Sequence, residues 1–114
     1  MFRRIYREDI QAHLTANTPM ILAEALPEKH YVDGHLPGAI HLPHDQIREL
    51  GPQRLPDKDA FIVVYCANTP CENSRIAAET LSAMGYTHVA EYAEGKQDWT
   101  EAGLLLEKST NKAA

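Results

Sequence analysis

The chain has only two cysteines and one tryptophan among 114 residues. Two thiols do not make the disulfide framework of a small secreted scaffold. No stretch approaches the ~20 apolar residues that a membrane-crossing helix needs. The opening Met1-Phe2-Arg3-Arg4-Ile5-Tyr6-Arg7 is basic but runs straight into Glu8-Asp9. An export signal would place an apolar stretch of about 7–15 residues there. Positive charge is also scarce: 11 Lys and Arg against 16 Asp and Glu leave a formal net charge of −5. That balance argues against a nucleic acid or a membrane surface as partner, since both want a basic face. Together these absences lead to the expectation of a cytoplasmic protein, where thiols stay reduced and a pair of cysteines serves chemistry rather than structure.

What is present is an ordinary globular composition, 44% apolar and 24% charged, at the size of a single domain with one core. Neither a repeat nor a linker-like block divides residues 1–114, and residues 107–114 form a polar tail expected to fray. Short apolar runs alternate with helical patterns. Met20–Ala23, Ala39–Leu42 and Val89–Tyr92 read as strands, Phe61–Tyr65 is the strongest, and Ile5-Tyr6 is a candidate edge strand. Helices are expected over Arg7–Leu14 with Ile10 and Leu14 on one face, over Gln46–Leu50, over Ser74–Met84 with Gly85 as its cap, and over Trp99–Gly103. Continuous apolar strands between helices predict an α/β domain with a parallel sheet. Sites in such sheets lie at the carboxyl ends of strands, and the residue at that end of the strongest strand is Cys66.

Cys66 leads through Ala67-Asn68-Thr69-Pro70-Cys71-Glu72-Asn73 to Ser74, which opens the long helix. Unpaired N–H groups and the positive end of the helix dipole face that loop. Such surroundings favour thiolate and hold an anionic sulfur or a thiosulfate-like oxyanion. Against this stands the bland alternative, a small buried residue ending a strand. Cys71 has three open roles: a resolving thiol, a spectator lining the loop, or the nucleophile itself. Arg75, in the first turn of the helix, either pairs with a bound anion or points to solvent. His35, His41 and His44 lack a compact ligand spacing and no acid completes a set, so no metal and no other cofactor is expected. His35 is expected to act structurally in the turn before Pro37-Gly38. Glu24, Asp33 and Asp98 are candidate acids that nothing pairs, and Trp99 reads as core.

Several segments together resemble the rhodanese homology domain. Tyr31-Val32-Asp33-Gly34-His35-Leu36-Pro37-Gly38-Ala39-Ile40-His41-Leu42-Pro43 is similar to the family's Y-x-x-G-H-I-P-G-A-x-x-I-P stretch. Val63-Val64-Tyr65-Cys66 resembles its strand ending in the reactive Cys. Ser74 to Tyr86 resembles its S-x-x-A-A-x-x-L-x-x-x-G-Y helix. Tyr92-Ala93-Glu94-Gly95 and Trp99-Thr100-Glu101-Ala102-Gly103-Leu104 resemble its closing signature, with Glu94 in place of the first Gly and Leu105 in place of the Pro. The resemblance covers about residues 5–106. It implies a three-layer α/β domain, a central parallel sheet of about five strands flanked by helices, and a Cys66 that accepts sulfane sulfur and passes it on. The substrate-binding set it implies is Ala67, Asn68, Thr69, Pro70, Cys71, Glu72, Asn73, Ser74 and Arg75.

Three departures accompany the resemblance. The family's D-V-R falls on Glu24-Ala25-Leu26, so its Arg is lost. The loop after Cys66 is two residues longer than C-R-x-G-x-R-S and lacks its Gly and internal Arg. Cys71 is additional. The leading expectation is a sulfurtransferase moving sulfur from thiosulfate or a persulfide to a thiol, a carrier protein or another nucleophile. The alternatives are a dithiol redox enzyme using Cys66 and Cys71, and a binding module of the same fold. Phosphatases of this fold use C-x5-R, whereas Arg75 stands in C-x8-R. With no long apolar surface stripe, a monomer is expected.

Overall fold

A computed structural model describes residues 2–108. In chain order its elements are β1 (Arg3–Arg4), α1 (Arg7–Ala16), β2 (Ile21–Glu24), α2 (Glu28–Asp33), β3 (Ile40–His41), a 3-10 turn (His44–Gln46), α3 (Ile47–Arg54), β4 (Phe61–Tyr65), α4 (Asn73–Ala83), β5 (His88–Tyr92) and α5 (Gly95–Glu101). Among the described residues five strands form one sheet in the order β1-β5-β4-β2-β3, every neighbouring pair parallel. Parallel pairs need crossovers, so both faces are covered by helices. The expected α/β architecture is present.

Strand alternation divides the core. Ile62 and Val64 of β4 join Ala23, Val89, Ile47 and Leu55, with Ala77, Ala78 and Leu81 of α4 laid over them. Val63 and Tyr65 point the other way, into a cluster with Ile10, Leu36, Tyr92 and Trp99. Each aliphatic side chain buried this fully contributes about 1.5–3 kcal/mol. Gly85 ends α4 at φ +100 while the Tyr86 N–H donates to the Leu81 carbonyl, a left-handed cap that a side chain would strain.

Several elements depart from the sequence expectation. The edge strand is Arg3–Arg4, paired with Ala90 and Glu91, and Ile5 turns inward beyond it. Leu14 is exposed although Ile10 on the same helix is buried, and in the last turn it is His13 that packs against Phe61 of β4. α2 was not anticipated. α3 continues through Pro52 to Arg54, carried by the burial of Ile47 and Leu55 at its two ends. α5 begins at Gly95 rather than Trp99. The first residue of the tail expected from residue 107 is held: Glu107 exchanges both backbone hydrogen bonds with His35, at 2.9 and 2.8 Å, and its carboxylate accepts from the Gly38 N–H. Residues 109–114 of that tail lie outside the described residues. No helix among the described residues is long and apolar enough to cross a membrane.

Candidate functional site

Cys66 follows β4 directly and is fully buried. Its position is held from behind by backbone. The Cys66 carbonyl accepts from the Lys96 N–H at 3.0 Å, and the Ala67 carbonyl accepts from the Gln97 N–H at 2.8 Å. The two donors are orphan amides of α5's first turn, so the helix finds its missing partners in the chain that carries the thiol. The close approach requires glycine at 95. Its φ is +63, and a Cβ there would collide with the Cys66 carbonyl oxygen and stand 3.0 Å from the Ala67 carbonyl carbon.

In front of Cys66 the loop turns back on itself, the Cys71 N–H donating to the Asn68 carbonyl at 3.1 Å. That return brings the two cysteine Cα atoms to 6.5 Å, and Cys66 and Cys71 are joined as a disulfide. The pairing of the two cysteines, which the sequence left open, rests on this turn: a separation of five residues suffices once the loop folds back. Cys66 Sγ also lies 3.4 Å from Ser74 Oγ and 3.6 Å from the Cys71 carbonyl oxygen. Ser74 is buried, and its hydroxyl donates to Glu91 Oε2 at 2.8 Å. A sulfur, a hydroxyl and a carboxylate thus stand in line from β4 through α4 to β5.

The remaining residues of the expected binding set fall into two groups. Ala67, Asn68, Cys71 and Asn73 are half-buried along the loop, while Thr69, Pro70 and Glu72 are exposed. Arg75 is not directed at the loop interior. Its guanidinium bridges Glu72 at 3.0 Å and Glu79 at 3.3 Å on the outer face of α4, and those two carboxylates raise its pKa.

A second charged group pairs an acid that the sequence left unpaired, and its cation, Lys96, was missed by sequence reasoning. Glu24, at the carboxyl end of β2, is completely buried. Lys96 Nζ lies 2.8 Å from its Oε2, and the Tyr65 hydroxyl donates to its Oε1 at 2.9 Å. Tyr65 in turn accepts from the Leu36 N–H at 3.0 Å, and Lys96 also donates to the His30 carbonyl. Burial pushes the Glu24 carboxyl above its ordinary value although Lys96 and Tyr65 pull it down. Burial, with the charge of Glu24 next, raises Tyr65 far above the ordinary phenol range. Lys96 therefore supplies a cation to the acid of Glu24-Ala25-Leu26, where the family pattern has its Arg two residues after the acid. Its position after Gly95 was the available signal, but no sequence spacing joins residues 24 and 96. Two of the three candidate histidines are committed elsewhere: His35 Nδ1 pairs with the Tyr31 carbonyl at 2.8 Å and its ring stacks on Tyr31, and His41 Nε2 pairs with the Leu26 carbonyl at 2.7 Å.

A model of the rhodanese-like domain matches residues 7–102. The chain belongs to the rhodanese family. It is 38% identical over 90 residues to the thiosulfate sulfurtransferase PspE of Escherichia coli strain K12, an alignment spanning 75% of this chain and 83% of that one. A solved structure described as rhodanese with anions, from E. coli, is 32% identical, with a TM-score of 0.65 over 79% of this chain and 99% of that one. The BH2092 protein of Bacillus halodurans shares the rhodanese fold at a TM-score of 0.86 and 23% identity, over 98% of this chain and 81% of its own. Rhodanese membership and the PspE likeness together support sulfurtransferase activity in the broad sense.

Proposed function

We propose that this rhodanese is a single-domain sulfurtransferase in which Cys66, once reduced, carries the transferred sulfur as a persulfide. The observation that carries the reading is the seat of Cys66: a buried sulfur at the carboxyl end of β4, facing the first turn of α4, on a backbone clamped by α5. The Cys66 thiolate attacks the sulfane sulfur of thiosulfate, the sulfur–sulfur bond of the donor breaks, and sulfite leaves with the electron pair. The new persulfide is anionic, and the orphan N–H groups of α4's first turn stabilise it with the helix dipole. Those backbone groups do the binding, because Arg75 joins them only after releasing Glu72 or Glu79. A thiol, a carrier protein or cyanide then attacks the outer sulfur and restores the thiolate. PspE's name makes thiosulfate the donor to try first. A monomer in the cytoplasm, whose reductants keep Cys66 free, is the matching setting.

Intact-mass spectrometry of the reduced protein with thiosulfate, then cyanide, tests this. One sulfite released per protein, with one added sulfur on Cys66 of a Cys71→Ser variant that cyanide removes, is the expected result; a Cys66→Ser variant that still releases sulfite would overturn the assignment. The Cys66–Cys71 bond favours a second reading, dithiol redox chemistry that never loads sulfur. Under it the protein loses two hydrogens only when a separate two-electron oxidant is supplied, and thiosulfate stays intact.

A further inference from the structure

Resting on the sulfurtransferase reading, we infer that Cys71 is a built-in resolving thiol that expels the sulfur carried by Cys66 as sulfide, making the protein a thiol-dependent sulfane-sulfur reductase. Cys71 Sγ is bonded to Cys66 Sγ in the structure. A transferred sulfur uses the same valence, so persulfide and disulfide are competing occupants of one sulfur atom. No other described side chain is covalently joined to Cys66, and the tether between the thiols is four residues long. A short flexible tether holds its ends at an effective concentration on the order of millimolar, which an outside thiol must match to compete. Burial strengthens the bias: Cys66 has no exposed surface, whereas Cys71 is half-exposed on the loop.

The step balances without an outside oxidant. Cys71 thiolate attacks the inner sulfur of the Cys66 persulfide, the Cys66–Cys71 bond forms, and the bond to the outer sulfur breaks. That sulfur leaves with the electron pair as hydrosulfide. Two cysteine thiols are oxidised to a disulfide, and one sulfane sulfur is reduced to sulfide. Regeneration needs a reductant, either a dithiol protein or two small thiols. It attacks at Cys71, the more accessible sulfur, and expels Cys66 as thiolate beside the amides of α4's first turn. A leaving thiolate stabilised in that way departs faster. A second reductant thiol then resolves the mixed disulfide on Cys71. The complete cycle takes thiosulfate and two thiols to sulfite, sulfide and one disulfide. While the disulfide stands, Cys66 has no free thiolate and sulfur cannot load.

The test uses the full chain, reduced with dithiothreitol, freed of it under anaerobic conditions, and given thiosulfate without cyanide. The expected result for the wild type is loss of two hydrogens, with one equivalent each of sulfite and sulfide released per protein. Cys71→Ser is expected to stop at the persulfide, gaining one sulfur and releasing sulfite but no sulfide. If wild type and Cys71→Ser both hold the added sulfur and neither releases sulfide, the resolving role is overturned and the sulfurtransferase reading stands. If neither protein gains sulfur nor releases sulfite, the sulfurtransferase reading falls and takes this inference with it. Loss of two hydrogens without sulfite or sulfide is plain thiol oxidation and also overturns it. The wild-type release of sulfide decides the matter even if Cys71→Ser fails to fold.

Discussion

Two helix starts meet at the carboxyl edge of the sheet, and they are built in opposite ways. The start of α5 is a buried joint: Gly95 lies against the Cys66 backbone, two amides are taken up by Cys66 and Ala67, and Lys96 reaches back to the buried Glu24. The start of α4 is an open loop whose cation, Arg75, sits among surface carboxylates with 46% of its side chain exposed. The contrast separates holding from reacting. A rigid floor fixes the main chain of Cys66, while the half-exposed loop above it remains free to exchange one sulfur partner for another. Charge makes the same point. Glu24 is fully buried where it meets Lys96, so a lost partner leaves its charge desolvated, whereas the exposed pairs of Arg75 are screened.

The comparison breaks most sharply at the reacting sulfur. Cys66→Ser is expected to bring thiosulfate-to-cyanide transfer down to the background without enzyme, measured by thiocyanate formation, while the far-UV circular dichroism stays native. On the floor, Lys96→Met leaves the Glu24 carboxylate unpaired and buried, and should cost about 3–5 kcal/mol in urea unfolding at neutral pH. Gly95→Ala combines a left-handed backbone with a collision against the Cys66 carbonyl. It should cost more than about 2 kcal/mol and lower transfer activity too, since the displaced atoms carry the thiol.

A pH series sharpens the electrostatic side. Glu24 has a raised carboxyl pKa in the folded protein, chiefly through burial, against an ordinary value of 4.5. The unfolded chain therefore loses this proton first. The stability the group contributes is complete below 4.5 and is lost as pH rises through the folded value. Urea unfolding of wild type and Glu24→Gln should show the wild type losing ground to the variant across that rise; parallel curves would contradict it. The smallest effect is expected at the open loop, where Arg75→Ala should change stability by no more than about 1 kcal/mol. A loss several times larger would mean that Arg75 anchors the loop as Lys96 anchors the floor.

Much of this was legible in the residues. Phe61–Tyr65 is a strand because five successive β-branched and aromatic side chains fill both faces of a covered sheet. Ala77 and Leu81, on the apolar stripe of the Ser74–Met84 helix pattern, are both fully buried. Cys66 followed from its place at the end of that strand. The edge strand was displaced because its partner is chosen by β5's backbone, not by the apolar character of Ile5. The tail was mistaken at Glu107, whose polarity hides a backbone pairing with residue 35.

Local pattern alone determined the α/β class, the strand that ends in the thiol, and the loop and helix that follow, because periodicity and turn chemistry act over a few residues. Only the tertiary structure decided that Lys96 balances Glu24, that Gly95 must be bare, and that Glu91 stands behind Ser74. It also directed Arg75 outward and joined Cys71 to Cys66. Each of these depends on distances between segments far apart in sequence, or on which way a loop turns. A buried charge, an orphan amide or a thiol finds its partner only once the sheet has brought those segments together.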